Sequence, residues 1–450
     1  MFQKRILIEN IENYNEGTVC GRIENSDKNE IFLSDQTGVC KFNFVSQETS
    51  PDIQGISIKN GDIIALDFYK DSYQNRRIFL IKKIVLLNAV EKNPLADRNS
   101  LYVKLHKNDK NMVTVLKKRQ VFFQETRNFF TREDFIEINT PTLVDSPGVE
   151  TYIEPFKTTY YDFNGDEKEY FMPTSPEFSL KEALTSGLEK IFEIAKVFRN
   201  RGENSNLHSP EFLMLEWYRA YSDYSEIIND CFLLIKYLAN SVYKTDKLLR
   251  DNRECKIDSL EKITVKELFS EYDIDTDDYF SDEEKFKKNI RDFYQKKHNE
   301  KLWENLKKDD LFFKFFLDNI EPNLGFDRVT CVYEYPIDMC ALSNPVKNND
   351  KYGERFELYI FGIEIANGFG ELTDPKKQEM NFQKILKLRE ENEALVKQNL
   401  PERFLRALRF GLPPCSGVAL GIERLFMIFE NIRHIKDANL LETFDADRYD

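Results

Sequence analysis

Phe198-Arg199-Asn200-Arg201-Gly202-Glu203, a short polar loop, and then His208-Ser209-Pro210-Glu211-Phe212-Leu213-Met214-Leu215-Glu216-Trp217-Tyr218 form the stretch that decides the fold. The apolar runs Ile191–Phe198 and Phe212–Tyr218 predict two strands, and the charged loop between them places Arg199 at a strand end. Downstream, Gly417-Val418-Ala419-Leu420-Gly421-Ile422-Glu423-Arg424 reads as a glycine-rich strand running into a helix over Ile422–Glu430. Upstream, Val113–Phe130 repeats apolar residues at helical spacing, and Phe135–Ile138 follows as a strand ended by Thr140-Pro141. Further strands are predicted at Tyr152–Thr159 and Phe356–Ile363, and further helices at Phe178–Leu184, Tyr224–Tyr243 and Lys377–Gln398.

The chain has no G-x-x-x-x-G-K-[ST] phosphate loop, no strand-linked G-x-G-x-x-G, no H-E-x-x-H and no G-x-S-x-G. Its three informative segments, in this order, resemble motifs one, two and three of the class II aminoacyl-tRNA synthetases. The resemblance implies an α+β catalytic domain on a mostly antiparallel sheet, a homodimer formed through the helix and strand ending at Pro141, and use of ATP with Mg²⁺.

Adenylate formation brings a carboxylate against the α-phosphate of ATP, so fixed positive charge is needed where negative charge builds. Arg199 offers a planar donor fork for the α-phosphate and the attacking carboxylate. Arg424 suits the γ-phosphate, Gly421 leaves the backbone open to the nucleotide, and Phe212 suits the adenine. An isolated arginine at a strand end is ordinarily a solvated surface charge; here the motif context argues for a role. The resemblance adds Asn200, Arg201, Glu203, His208, Ser209 and Ile365 to the ATP contacts. Glu357 and Glu364 resemble the carboxylates that hold Mg²⁺ in this family, and oxygen ligands suit that hard cation.

A cationic amino-acid side chain needs buried anions to replace its water. Glu177 in Thr174-Ser175-Pro176-Glu177, Glu216 and Tyr218 in motif two, and Asn367 with Glu371 in Glu364–Asp374 supply them. This set resembles the lysine pocket of the lysine subgroup, with Ser175 and Pro176 beside Glu177, and the resemblance implies that Glu371 meets the ε-amine and Glu177 or Glu216 lies near the α- or β-amine. Met172–Glu177, Phe212–Arg219, Glu321-Pro322-Asn323, Glu364–Asp374 and Pro414–Gly421 look most similar to the elongation factor P lysine ligases. Those enzymes join (R)-β-lysine or lysine to a lysine of elongation factor P. Ala419 stands where lysyl-tRNA synthetases usually carry glycine, and the added methyl suits the β-isomer. Two features depart from that pattern: Arg201 replaces a glutamate, with Glu203 close by, and the loop to His208 is one residue longer. Ser209 also stands where asparagine is common.

The remaining chain sets the frame. Its 450 residues, 41% hydrophobic, exceed one compact core and suggest two domains. Residues 1–92 read as short strands at Arg5–Ile11, Thr18–Ile23, Glu30–Leu33, Gly38–Val45, Asp62–Phe68 and Arg77–Leu86, an OB-like barrel. Phe32, Phe42, Phe44 and Phe68 suit either base stacking or the barrel core, and the core is favoured. Val90–Asn99 reads as a linker, and residues 100–450 as the catalytic domain with a helical insertion at about 244–321. A net charge of −14 argues against broad nucleic-acid binding. Cys20, Cys40, Cys231, Cys255, Cys331, Cys340 and Cys415 are scattered without a C-x-x-C and read as reduced thiols. With no membrane span and no apolar leader, a cytoplasmic enzyme is expected. A lysyl-tRNA synthetase acting on tRNA, a non-catalytic paralogue and a nucleic-acid-binding barrel stand as the alternatives.

Overall fold

The computed structural model describes residues 5–45, 57–73, 76–96, 100–106, 112–202, 205–298, 306–392 and 395–439. The chain divides into two compact units, one up to Lys118 and joined by the chain end from Asn439, the other Arg119–Ala438.

In the first unit, alternating apolar residues close a barrel. Its strands are β1 (Glu16–Ser26), β2 (Glu30–Asp35), β3 (Gly38–Asn43), β4 (Ile63–Tyr73) and β5 (Arg76–Asn88), in the order β1-β2-β3-β5-β4. Val19, Ile23, Ile31, Leu33, Leu66 and Ile81 fill the interior, as period-2 side chains do in a small barrel. Phe42 and Phe68 are fully buried and meet Phe79 at ring distances of 5.5–6.0 Å, so both are core residues; Phe44 packs at its margin. The strand expected at Arg5–Ile11 is instead a 3₁₀ turn, Ile8–Asn13. Ile8 and Ile11 are buried at the three-residue spacing of that helix, and Asp35 accepts from the Ile8 amide at 2.9 Å.

The second unit is built on one large sheet. Its strands, in chain order, are β6 (Ile136–Glu137), the separate hairpin β7 (Lys157–Tyr161) and β8 (Glu167–Phe171), then β9 (Lys190–Phe198), β10 (Glu211–Ala220), β11 (Lys247–Arg250) and β12 (Arg253–Thr264). β13 (Arg328–Pro336), β14 (Pro345–Val346), β15 (Asn349–Ile360), β16 (Ile363–Gly370) and β17 (Cys415–Leu420) complete the set. The sheet runs β11-β12-β13-β15-β16-β17-β10-β9-β6, with β14 beside β15. Only β12/β13 and β9/β6 pair in parallel, as expected of a mostly antiparallel sheet. The long helix Met112–Arg132 sends Phe122 against Phe426 and Phe129 against Tyr237, and Phe130 stacks on Phe192 at 4.7 Å.

The segment expected to be a helical insertion begins differently. Residues 247–264 form a hairpin that extends the sheet edge, turning at Asp251-Asn252, both with positive φ as a two-residue turn requires. Helices take over only from Val265, where Thr264 and Glu267 form a capping box. Phe269, Phe286, Phe312 and Phe315 then build a core against Tyr335 and Tyr359 of the sheet. The single strand expected at Phe356–Ile363 is two strands, because Phe361 and Gly362 turn the chain with φ of 55° and 69°. The strand expected from Tyr152 starts only at Lys157, beyond Pro155. The helix expected to reach Gln398 ends at Glu390. Among the described residues no helix is long and apolar enough to cross a membrane, and every cysteine is a free thiol.

Candidate active site

Sheet register assembles the site. Glu357 lies opposite Asn367, Asn367 opposite Ala419, and Ala419 opposite Glu216. Partners on adjacent strands share a face about 4.8 Å apart, so these four residues form one row across the middle of the sheet. Ala419 has the smallest side chain in that row, between Asn367 and Glu216. Asn367 Oδ1 is buried without a partner, a polar atom that a ligand could satisfy. Along the same face, Phe212, Met214, Ala195 and Val197 join Ala419 in an apolar patch suited to a flat base.

Two residues further on, Gly417 lies opposite Tyr218. A Cβ at Gly417 would fall 2.1 Å from the Tyr218 ring and 2.9 Å from Glu371 Oε1. Only glycine lets that ring and that carboxylate meet over β17, a role that its place in the motif leaves unstated.

The acidic end is buried and already internally bonded. Glu216 accepts from Ser175 Oγ at 2.6 Å and from Tyr218 Oη at 3.2 Å. Burial, reinforced by the charge of Glu177, pushes its carboxyl up to about 8. Glu177 opens the helix Glu177–Leu184 directly after Pro176, and Ser175 Oγ also accepts from its amide at 3.0 Å. One turn later Lys181, fully buried, pairs with Glu177 and stands 2.5 Å from Glu371 Oε2. The two carboxylates outweigh burial and hold the Lys181 ammonium charged. Glu371 is pushed up to about 8 by burial, opposed by Lys181 and aided by Glu177. Lys181 was legible only as an i,i+4 partner of Glu177 on the face of Leu180 and Leu184. Glu150, also unmarked in the sequence, lines a small cavity with Gly148, Ser175, Glu177 and Phe178.

The nucleotide end is more open. Arg199 lies 5.4 Å from the Phe212 ring centre, a cation–π distance. Its charge acts on both Glu150 and Glu364, and its Nε donates to Thr174 O at 3.5 Å. Arg424, in the first turn of the helix Ile422–Phe429, donates to the Glu364 carbonyl at 3.0 Å and lies 3.7 Å from its carboxylate. Its other Nη is 2.8 Å from His208 Nε2, and His208 Nδ1 is 2.6 Å from Ser205 Oγ. The Gly421 amide donates to Ile365 O at 2.9 Å and caps that helix. Asn200 Oδ1 accepts from the amide of Arg201, which is exposed with φ of 49°. Ser209 is half-buried two residues before β10, and Glu203 lies outside the described residues.

Glu364 is held above the ordinary carboxylate range by burial and by the charge of Glu357, with Arg424 opposing. Glu357 itself accepts from Arg355 at 2.6 Å, Tyr335 at 2.6 Å, Asn367 at 3.4 Å and Tyr359. No cluster of three metal-binding side chains occurs among the described residues. Two neighbouring carboxylates fit Mg²⁺, which is commonly held by one or two carboxylates together with substrate phosphates.

Comparison with known proteins agrees with this geometry. Residues 96–443 match the family described as tRNA synthetases class II (D, K and N), and β1–β5 of the barrel lie outside the match. The chain is 34% identical over 326 residues to an elongation factor P–(R)-β-lysine ligase of Haemophilus ducreyi, covering 72% of this chain and 92% of that protein. A ligase of the same name from Proteus mirabilis is 32% identical over 345 residues, covering 74% and 96%. A lysine–tRNA ligase of Wigglesworthia glossinidia brevipalpis is 35% identical over 346 residues, covering 76% and 67%.

Proposed function

Because this chain belongs to the class II tRNA synthetases of the D, K and N group, we propose that it activates lysine or (R)-β-lysine with Mg·ATP and transfers it to a lysine of elongation factor P. The observation that carries the amino-acid choice is the acidic set of buried Glu216 and Glu371 with half-buried Glu177, beside the row in which Ala419 faces Glu216. These anions replace the water of an ammonium group, and a neutral or acidic amino acid would leave them unmatched.

In the first step a substrate carboxylate oxygen attacks the α-phosphorus and pyrophosphate leaves. Arg199 holds the two anions together, and Arg424, steadied by His208, holds the far phosphate. Phe212 and its apolar neighbours take the adenine, with Asn200, Arg201, Glu203, Ser209, Ile365 and Gly421 around the nucleotide. Bound Mg²⁺ would neutralise phosphate charge, held by Glu364 and by Glu357, which would first release one of its present donors. In the second step the ε-amine of the acceptor lysine attacks the adenylate carbonyl, loses a proton and expels AMP. The residues do this by position and charge, and the reaction needs no covalent enzyme intermediate.

The barrel favours a second reading, transfer of lysine to tRNA, since OB-like barrels commonly hold single strands. Exposed Ile136 and Leu143 support a homodimer through the first motif; seven unpaired thiols support a cytoplasmic setting. Incubation with Mg·ATP, labelled lysine or β-lysine, and either elongation factor P or tRNA tests the acceptor. Label on elongation factor P is expected. Label on tRNA alone would overturn the acceptor, and absent pyrophosphate exchange with both amino acids would favour a non-catalytic paralogue.

A further inference from the structure

The loop Pro147–Pro155, part of which was expected to be a strand from Tyr152, is held more firmly than its lack of secondary structure suggests. Arg389, reaching from the helix Pro375–Glu390, donates to the backbone carbonyls of Glu150 at 2.8 Å, Ile153 at 3.1 Å and Thr151 at 3.4 Å. Its other nitrogen meets the Glu154 carboxylate, and both side chains are almost wholly buried. Glu154 Oε2 also accepts from Val396 N at 2.9 Å. On its other side the loop joins motif two, where Glu154 O accepts from Asn200 N at 2.7 Å.

What this clamp presents is Glu150. Its side chain lines the cavity beside Ser175 and Glu177 and has no hydrogen bond or ion pair to a described residue. Glu216, Glu177 and Glu371 are by contrast already bonded to Ser175, Tyr218 or Lys181. Ser175, which lines the same cavity, follows Thr174, whose carbonyl accepts from Arg199 Nε at 3.5 Å, so Glu150 lies towards the end of the pocket where Arg199 would hold the substrate carboxylate.

We propose that Glu150 binds the ammonium nearest the substrate carboxyl, the α-ammonium of lysine or the β-ammonium of β-lysine, and that Arg389 is the positioning residue that holds it there. This rests on the lysine-like reading of the pocket. The ε-ammonium then belongs to the Glu371 end, and the loop reads the feature that separates the two isomers.

Calorimetric binding of lysine, β-lysine and 6-aminohexanoate, with pyrophosphate exchange measured in parallel, tests the assignment. The last ligand keeps the carboxylate and the ε-ammonium and lacks the other ammonium. Glu150→Gln is expected to weaken both diamino acids about 10- to 100-fold, leaving 6-aminohexanoate and the KM for ATP essentially unchanged. An equal loss for all three ligands, or no loss, would overturn the role of Glu150. A wild-type chain that binds the diamino acids without exchange would overturn adenylation and still decide on Glu150; one that binds none of them would overturn both. Arg389→Lys should weaken the diamino acids in the wild-type background and add nothing in Glu150→Gln, since residues acting through one another are not additive. Additive losses would remove Arg389 from the assignment. Should Arg389→Lys fail to fold, Glu154→Gln loosens the same clamp and takes its place.

Discussion

The two ends of the site are built on opposite principles. At the amino-acid end, Lys181 pairs with Glu177 and Glu371, and Glu216 is bonded to Ser175 and Tyr218, before any substrate arrives. At the nucleotide end, the Arg199 guanidinium has one long hydrogen bond among the described residues, to Thr174 O at 3.5 Å, beside its contact with the Phe212 ring, and Arg424 leans on exposed His208. A pocket that must recognise a small cation gains from rigid, desolvated partners, because their geometry is set in advance. A site that must follow phosphate through a changing bond gains from arginines with free donors.

Breaking the open end should cost most. Arg199→Ala is expected to reduce amino-acid-dependent pyrophosphate exchange by roughly a thousandfold, while lysine binding falls much less; near-normal exchange would take Arg199 away from the α-phosphate. At the closed end, Gly417→Val would drive a side chain into Tyr218 and Glu371. The KM for the amino acid should rise about a hundredfold with the KM for ATP little changed, and an unaffected KM would show that Tyr218 and Glu371 yield freely.

Acidity sharpens the contrast. Glu216 and Glu371 titrate near 8 in the free pocket, so they bind an ammonium as anions only towards alkaline pH. Amino-acid affinity should therefore fall as pH drops below about 8, approaching tenfold per unit for each carboxyl that must lose a proton. Stability has the opposite sign. Between the unfolded value near 4.5 and the folded value near 8 the folded chain binds more protons, so thermal stability without ligand should fall as pH rises through that window. Saturating lysine should flatten that fall, and a melting profile that rises with pH would contradict the buried-acid description. The smallest effect belongs to Ala419→Gly, where one methyl is worth about 1–3 kcal/mol of discrimination. The ratio of exchange with lysine to exchange with β-lysine should rise, and an unchanged ratio would show that the Ala419 methyl does not sort the isomers.

Much of this was legible in the sequence, for physical reasons. Arg199, Arg424, Glu216 and Gly421 sit in short motifs whose spacing is local, so strand and helix geometry alone brings them towards one face. The barrel followed from alternation. What escaped depends on distant partners or on turns. Lys181 looks like an ordinary helical charge until Glu371, far along the chain, closes over it. Glu150 lies in a loop without periodicity, and its role becomes visible only with Arg389 behind it. Asp251-Asn252 is the exception. A pair tolerant of left-handed backbone between Leu248 and Cys255 was a readable hairpin signal, obscured by the helix-prone residues after it. The 3₁₀ turn at Ile8–Asn13 was missed because Ile6 and Ile8, both buried, alternate as in a short strand.

Lys181 has one more consequence. Two acids, Glu177 and Glu371, hold one resident ammonium, with Glu216 linked to Glu177 through Ser175, and the three acids fully ionised would leave two charges unanswered. Lysine and β-lysine each bring two ammonium groups. The chain thus carries, as a fixed part of its own core, a sample of the ion it selects. Folding rehearses recognition: the side chain that lets the empty pocket assemble also sets how many charges its guest must bring.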